Sequence, residues 1–296
     1  MLFRSFDGYD LAAIVPYIDW GPFFIAWELH GKFPQILTDA TVGVEATRLY
    51  NDAQELLAQM VREKWLKPRA VIGFWPANSD GKDTIVVQHG EESVRLECLR
   101  QQIKKAPGQP NISLADFIAP AATDKTDHIG AFVVSIEGIE PHIKRFEAAH
   151  DDYNKITLQA LADRLAEAFT ELLHEKVRKE YWGYASEEHL ANEQLIQEQY
   201  LGIRPAPGYP ACPDHTEKVK LFAMLDATKQ TGTILTESLA MYPASSVSGW
   251  YFANPESKYF GVGKIEKDQV VDYAARKGMP LAEVEKWLRP VLEYDV

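Results

Sequence analysis

The sequence of 296 residues contains only two cysteines, Cys98 and Cys212, so no framework of disulfides holds the fold together. It also lacks any run near the length of about eighteen apolar residues that a membrane-spanning helix needs. The first ten residues, MLFRSFDGYD, have neither the apolar stretch nor the small-residue cleavage site of a signal peptide. These absences predict a cytoplasmic protein in a reducing environment, with no membrane partner.

Basic residues are fewer than acidic ones: the sequence has 31 Lys and Arg and 43 Asp and Glu, which gives a net charge of −12. Because nucleic-acid binding relies on basic patches that neutralise phosphates, this balance argues against a nucleic-acid partner. The excess of acidic residues is explained by solubility, although a docking surface for a partner or a site for a cationic ligand is an alternative explanation. Repeats, low-complexity tracts and linkers are also lacking, so we predict a single domain that spans residues 1–296.

Hydrophobic periodicity predicts both helices and strands. The strongest helix covers 152–182, and a central strand, IGAFVVSI, covers 129–136. Other helices are predicted at 41–66 with Thr41 as N-cap, and at 186–200, 216–227, 267–277 and 281–288. A second strand is predicted at RAVIGFWPA, ending near Pro76, and it forms a hairpin with a third strand, DTIVVQH. Three more strands are predicted at ILTESLAMY, SVSGWYFA and KYFGVGKI. The stretch KKAPGQPNIS is predicted to be a surface loop. Since helices and strands do not alternate regularly, we expect an α+β fold with a largely antiparallel sheet flanked by helices.

Three weak motifs do not point to chemistry. Gly261 and Gly263 lack the third glycine of a dinucleotide fingerprint and the residues of a phosphate loop. Cys212 and His215 have no second pair that would complete a metal site, and no base can be assigned to activate Cys212. We therefore predict no catalytic residue and no metal ligand.

Asp163 and Glu167 lie four residues apart in the long helix, so both carboxylates point the same way. A solvated helix face explains them simply. A contact face for a partner is the sharper alternative, and a catalytic carboxylate pair is the least favoured.

The stretch IRPAPGYPACPDH, residues 203–215, contains four prolines and cannot form regular structure. Within it, Arg204 offers a planar fork suited to a carboxylate, Gly208 permits close approach of the backbone, and Tyr209 supplies an aromatic face. The prolines would restrict the backbone that carries these groups, so that little conformational entropy would be lost when a ligand binds. From the residues alone, a structural loop and a binding loop are about equally favoured.

The Arg-x-x-x-Gly-Tyr pattern from Arg204 to Tyr209, followed by PACPDHTEK, resembles the S-adenosylmethionine-binding signature of the C-terminal activation domain of cobalamin-dependent methionine synthase. Further similar blocks are YIDWGPFF (17–24), HDDYNKI (150–156), ALADRLAEAF (160–169), VRKEYWGYA (177–185) and SVSGWYFANPESKYFGVGKI (246–265). The resemblance thus covers essentially the whole chain and implies a C-shaped α+β fold.

The resemblance also implies a site in which S-adenosylmethionine lies extended on the inner face. Arg204 would suit its carboxylate, and Asp19 and Glu198 its ammonium. The implied binding residues are Asp19, Glu198, Arg204, Ala206, Gly208, Tyr209, Tyr259 and Phe260. This sequence has Phe260 where a second tyrosine is common, so a hydroxyl contact would be lost there, whereas a backbone contact would not.

By the same resemblance, the function would be reductive reactivation. The domain would present S-adenosylmethionine to cob(II)alamin held by a separate cobalamin-binding domain, while a flavodoxin-like or flavoprotein donor supplies one electron. Asp163 and Glu167 fall where the family docks its cobalamin domain. No Asp-x-His-x-x-Gly cobalamin motif occurs, since TDHIG at 126–130 has the wrong spacing, and two cysteines cannot build a thiolate zinc site. We therefore expect this chain to bind S-adenosylmethionine without making methionine by itself.

Two alternatives remain at this point. One is a free-standing S-adenosylmethionine-dependent methyltransferase that acts on a small substrate without cobalamin. The other is a non-catalytic regulatory or interaction module.

Overall fold

The computed structural model describes residues 2–296, and its centre is an open antiparallel sheet. The strands are β1 (Leu2–Asp7), β2 (Lys67–Ser79), β3 (Thr84–His89), β4 (Glu92–Glu97), β5 (Asp127–Glu137), β6 (Ile234–Leu235), β7 (Met241–Tyr242) and β8 (Ser246–Tyr251). The helices are α1 (Leu11–Ile14), α2 (Gly21–Ile25), α3 (Gly43–Glu63), α4 (Glu140–Ala148), α5 (Asp152–Lys176), α6 (Asn192–Ile196), α7 (Glu217–Leu225), α8 (Ala227–Thr231), α9 (Lys267–Lys277) and α10 (Leu281–Leu288).

The main sheet has the strand order β4-β3-β2-β5-β8, with β1 beside the first half of β2. Each of these pairings is antiparallel. The α+β class with an antiparallel sheet flanked by helices is therefore confirmed, as are the central position of β5 and the hairpin of β2 with β3.

Strand β2 does not stop near Pro76 but continues to Ser79, so that prediction was wrong. On one side β2 pairs with β5 along almost its whole length. On the other side it pairs with β1 up to Phe74 and with β3 from Ala77 onward. Pro76 lies in the gap between these two ladders, where a missing amide hydrogen costs no sheet hydrogen bond.

Both faces of the sheet are buried, which explains why β2 and β5 read as continuous apolar runs. Alternate side chains point to opposite faces, so Ala70 and Ile72 pack with α3 and α5 while Val71 and Trp75 pack with α7. A third apolar cluster lies between α9 and α10. The ends predicted for α9 and α10, 267–277 and 281–288, are confirmed.

The long helix α5 begins where the Asp151 side chain accepts a hydrogen bond from the amide of Asn154, and it continues into a π-helical turn over Val177–Tyr181. The predicted helix over 152–182 is thus confirmed. The N-cap predicted at Thr41 is wrong, since α3 starts at Gly43. The carboxylate of Asp39 accepts from the amides of Thr41 and Val42 instead.

Three further predictions were wrong in extent. The helix predicted over 186–200 is limited to α6, of which only Leu195 is buried, so no apolar stripe stabilises a longer helix. ILTESLAMY forms only the two-residue strands β6 and β7. KYFGVGKI forms no strand, because the edge of β8 that it would need is covered by the loop 203–215.

Candidate functional site

The proline-rich loop lies along the outer edge of β8. Ile203 and Phe252 exchange two backbone hydrogen bonds of 3.0 Å, and the amide of Trp250 donates to the carbonyl of Pro205 at 2.9 Å. Pro205 can lie there because only its carbonyl is engaged, so the missing amide hydrogen is not needed. The backbone on both sides of Arg204 is therefore fixed by the sheet.

The loop then makes a tight turn around Gly208, whose amide donates to the carbonyl of Cys212 at 2.7 Å. Gly208 has a φ of +95°, a conformation that favours glycine. A Cβ at this position would overlap the imidazole of His215. The close approach that the glycine permits is thus to His215.

A cavity of about 520 Å³ opens between this loop, α5 and the segment 259–261. It continues into a smaller cavity of about 190 Å³, because Glu167, Glu198 and Arg204 line both. We call the two cavities together the groove. Its first part is lined by Phe132, Glu167, Glu198, Arg204, Pro205, Ala206, Tyr209, Pro210, Ala211, Val247, Tyr259, Phe260 and Gly261. Its second part reaches Tyr17, Asp19, Arg164, Ala168, Glu171, Leu195 and Ile196.

Arg204 is the charged centre of the groove, and its side chain is 18% exposed. Its Nη1 lies 2.7 Å from Oε2 of Glu171 and donates to the hydroxyl of Tyr200 and to Nδ1 of His174, both at 3.2 Å. Its Nε and Nη2 make no hydrogen bond to any residue from 2 to 296. One edge of the guanidinium is therefore occupied, and the other can accept a ligand.

The electrostatics around Arg204 keep it charged and keep its histidine neighbour neutral. Burial alone would lower the pKa of Arg204, but the Glu171 carboxylate together with Tyr200 and Tyr259 outweighs this and raises it. Burial, together with Arg178 and Arg204, holds the pKa of His174 well below its usual range. Because a neutral imidazole accepts at one nitrogen only, Nδ1 of His174 is the acceptor and Nε2 carries the hydrogen.

Two acidic side chains face the same groove. Asp19 accepts a hydrogen bond from the amide of Gly21 at 2.9 Å through Oδ1, so this oxygen holds the start of α2. Glu198 is exposed and has a φ of +55°, which is uncommon for a residue other than glycine. Burial of its carboxyl group raises the pKa of Glu198, Arg204 opposes this rise, and Glu171 adds to it. The groove thus combines the guanidinium of Arg204 with the carboxylates of Asp19 and Glu198.

Tyr259 and Phe260 form an aromatic wall of the groove. The hydroxyl of Tyr259 accepts from the amide of Arg204 at 3.0 Å and lies 3.1 Å from the hydroxyl of Tyr200. Phe260 packs edge-on against Phe117. This wall therefore presents aromatic rings to the groove, together with the hydroxyl of Tyr259, which is already hydrogen-bonded to the amide of Arg204.

Residues 10–278 match the model of the family "Vitamin B12 dependent methionine synthase, activation domain". The chain belongs to this family. Among solved structures, the MetH reactivation domain bound to AdoHcy is similar to the whole chain at 53% identity and a TM-score of 0.94, and the match spans 100% of this chain and 91% of that one. The activation domain is one part of cobalamin-dependent methionine synthase, a methyltransferase whose cobalamin is held by another domain.

In the activation domain, most residues that the sequence predicted for the site lie together. The groove is lined by Asp19, Glu198, Arg204, Ala206, Tyr209, Tyr259 and Phe260, and also by Glu167. Gly208 lines a neighbouring cavity that shares Tyr209, Pro210 and Gly261 with the groove. Asp163 is exposed on α5, one turn before Glu167. The roles of these residues remain predictions.

Sequence reasoning missed the residues behind Arg204 in the activation domain. Glu171 follows Glu167 by four positions, and His174 follows Glu171 by three, so α5 turns all three toward the groove. Tyr200 precedes Arg204 by four positions. The spacing along α5 is the signal that could have identified Glu171.

Cys212 is not activated in the activation domain, because burial raises the pKa of its thiol well above the usual range. Within residues 2–296, no group of three or more His, Cys, Asp or Glu side chains could hold a metal ion. Over the same residues, no helix has both the length and the apolar character required to cross a bilayer.

Substituting Gly208→Ala should lower the free energy of unfolding by about 1–3 kcal/mol, since the new Cβ meets His215 and the φ of +95° is strained for alanine. Chemical denaturation measures this change. Gly278→Ala is the matched control, because Gly278 also has a positive φ, +64°, but nothing lies within 4 Å of its Cβ position. Equal losses in the two variants would contradict the contact with His215.

Proposed function

We propose that the groove binds S-adenosylmethionine and that the activation domain presents its methyl group for the reductive methylation of cobalamin. The observation that carries the proposal is the convergence of Asp19, Glu198 and Arg204 with an aromatic wall on one groove. The 520 Å³ of its larger part lies within the range of about 300–1,000 Å³ typical of small-molecule sites. The similar MetH reactivation domain, solved with AdoHcy, supports the same ligand class.

The ligand carries a carboxylate, an ammonium group, a sulfonium and an adenosine, and the groove has a counterpart for each. The free edge of Arg204 suits the carboxylate, and Glu198 and Asp19 suit the ammonium group. The rings of Tyr209, Tyr259 and Phe260 suit the adenine and the sulfonium through π contacts. The backbone at Ala206 completes this set. Gly208, by contrast, shapes the turn that holds Tyr209.

The domain's own contribution would be positioning. Bound cobalamin supplies the cobalt that accepts the methyl group, and the residues of the groove hold the donor in place and limit its motion. We assign Asp163 and Glu167 to docking of the cobalamin-binding domain, because Glu167 lies at the groove and Asp163 lies exposed one turn away on α5. The reducing electron would come from a flavodoxin-like or flavoprotein donor.

We further propose that residues 1–296 act as one cytoplasmic unit without a nucleic-acid or membrane partner. The apolar clusters share β2 and β5, which supports the single unit. The net charge of −12 disfavours binding to phosphates. A free-standing methyltransferase has less support, because the chain matches the activation domain of methionine synthase over residues 10–278.

Isothermal titration calorimetry of the wild-type chain tests the ligand. S-adenosylmethionine and S-adenosylhomocysteine should both bind with one site per chain. ATP, which has the adenosine but no amino-acid part, is the control and should bind far more weakly. A chain that fails to bind either of the first two ligands would contradict the proposal.

The chain alone should form no methionine from homocysteine and a methylated folate, because its sequence has neither the Asp-x-His-x-x-Gly cobalamin motif nor enough cysteines for a thiolate zinc site. Product analysis by mass spectrometry checks this expectation. Methionine produced by this chain without added cobalamin modules would contradict it.

A further inference from the structure

Behind Arg204 lies a buried row of alternating charges that the proposed ligand contacts do not use. Arg178, whose side chain is fully buried, binds Glu188 through two nitrogens, with Nε–Oε2 at 2.9 Å and Nη2–Oε1 at 2.7 Å. Glu171 lies between the two arginines, with Oε1 3.9 Å from Nη1 of Arg178 and Oε2 2.7 Å from Nη1 of Arg204. Two positive and two negative groups are therefore balanced in the interior.

The position of Arg178 depends on the end of α5. Arg178 lies in the π-helical turn Val177–Tyr181, seven residues after Glu171 and on the same side of the helix. Its carbonyl accepts a hydrogen bond from the amide of Ala185 at 2.9 Å, which holds the chain that follows. π-Helical turns are frequent at functional sites, and this one places a guanidinium behind the groove.

The ring of Tyr200 confines both guanidinium groups. The Cζ atom of Arg178 lies 4.4 Å from the ring centroid, and that of Arg204 lies 5.7 Å from it. The contact of Glu171 with Arg204 is made through Nη1, at 2.7 Å. The side chain of Arg204 is thus held by one edge, and the edge formed by Nε and Nη2 is directed away from this contact.

We propose that Glu171 is a positioning residue that fixes Arg204 so that its Nε and Nη2 edge meets the carboxylate of a ligand in the groove. The inference rests on the proposed function, since it requires a ligand with a carboxylate. Arg178 keeps Glu171 in place from the opposite side. Without Glu171 the guanidinium would have to be ordered by the ligand itself, at a cost in affinity.

The test uses two probes that differ in the carboxylate. S-adenosylhomocysteine has it, whereas 5′-methylthioadenosine shares the adenosine and the thioether but lacks the amino-acid part. By calorimetry, Glu171→Gln should weaken the binding of S-adenosylhomocysteine about tenfold, or roughly 1.4 kcal/mol, and change that of 5′-methylthioadenosine less than about twofold. In an Arg204→Ala background, Glu171→Gln should cause no further loss.

Glu175→Gln is the matched control, because Glu175 lies one turn further along α5 and pairs with Lys179 and Tyr17 rather than with Arg204. Glu171→Asp, which keeps the charge but shortens the reach, should show the same selective loss if Glu171→Gln fails to fold. Thermal unfolding checks the fold of each variant.

Each other outcome overturns the inference. Equal losses for both probes would indicate a purely structural role, and a loss that persists in the Arg204→Ala background would indicate direct contact with the ligand. Tighter binding of S-adenosylhomocysteine would mean that Glu171 repels the carboxylate. A wild-type chain that binds no S-adenosylhomocysteine would overturn the proposed function as well, so the two failures are distinguishable.

Discussion

Replacing Arg204 by alanine should weaken S-adenosylmethionine binding by about 2–5 kcal/mol, a factor of roughly 30 to several thousand in Kd. The loss has two sources. The ligand carboxylate would lose its bidentate partner, and Glu171, with its side chain 8% exposed, would lose the cation at 2.7 Å. Calorimetry with the purified chain measures the change.

Two further variants separate these sources. Arg204→Lys keeps the positive charge near Glu171 but loses the planar fork, so it should recover part of the stability and little of the affinity. Arg62→Ala removes an arginine whose side chain is 68% exposed, far from the groove, and should leave affinity unchanged. An unchanged affinity in Arg204→Ala would contradict the assignment of the site.

The contrast between correct and incorrect predictions has a physical basis. α9, α10 and β5 were predicted well because their apolar residues follow one period and end at clear boundaries. Residues 258–265 have the same apolar content as a strand, yet their possible partner, β8, is already paired on that side with Ile203 and Pro205. Competition for a sheet edge depends on tertiary structure, which local patterns do not contain.

The same limit applies to the groove. The proline-rich loop could be recognised because its residue types are unusual and because the family pattern includes them. Glu171 carries only the weaker signal of its four-residue spacing from Glu167, since a glutamate in a long helix is ordinary until the fold places it 2.7 Å from Arg204. Gly208 was expected to let the backbone approach a ligand, which stays a prediction; the structure adds a close approach to His215 that the sequence does not reveal.

A second buried ion cluster joins the end of this loop to the C-terminal helices. The ammonium group of Lys277, with its side chain 3% exposed, lies 2.8 Å from Asp214 and 2.5 Å from Glu217, whose side chains are 3% and 2% exposed. The hydroxyl of Tyr273 donates to Asp214 at 2.8 Å. Lys277 thus neutralises Asp214 and shares Glu217 with Lys220, whose Nζ lies 2.9 Å from that carboxylate, so removing Lys277 leaves Asp214 uncompensated.

Lys277→Met should lower the free energy of unfolding by about 3–5 kcal/mol at neutral pH, because the methionine fills the space but leaves Asp214 without its cation and Glu217 with Lys220 alone. Chemical denaturation followed by tryptophan fluorescence measures the change. Lys267→Met is the matched control on the same helix: its side chain is 62% exposed and lies 3.9 Å from Glu285, so its loss should cost less than about 1 kcal/mol.

The pH dependence distinguishes lost charge pairing from lost packing. Burial alone would raise the pKa of Asp214, but Lys277 and the hydrogen bonds from Thr216 together outweigh it and hold that pKa below its ordinary value. The wild-type contribution of Asp214 is therefore present above its unfolded pKa of about 3.9 and is lost as the pH falls through the lower folded pKa. In Lys277→Met the carboxylate of Asp214, without its cation, takes up a proton at higher pH, so the difference between the two proteins should narrow from about pH 7 to about pH 4. A difference that stays constant over this range would indicate that packing alone accounts for the loss.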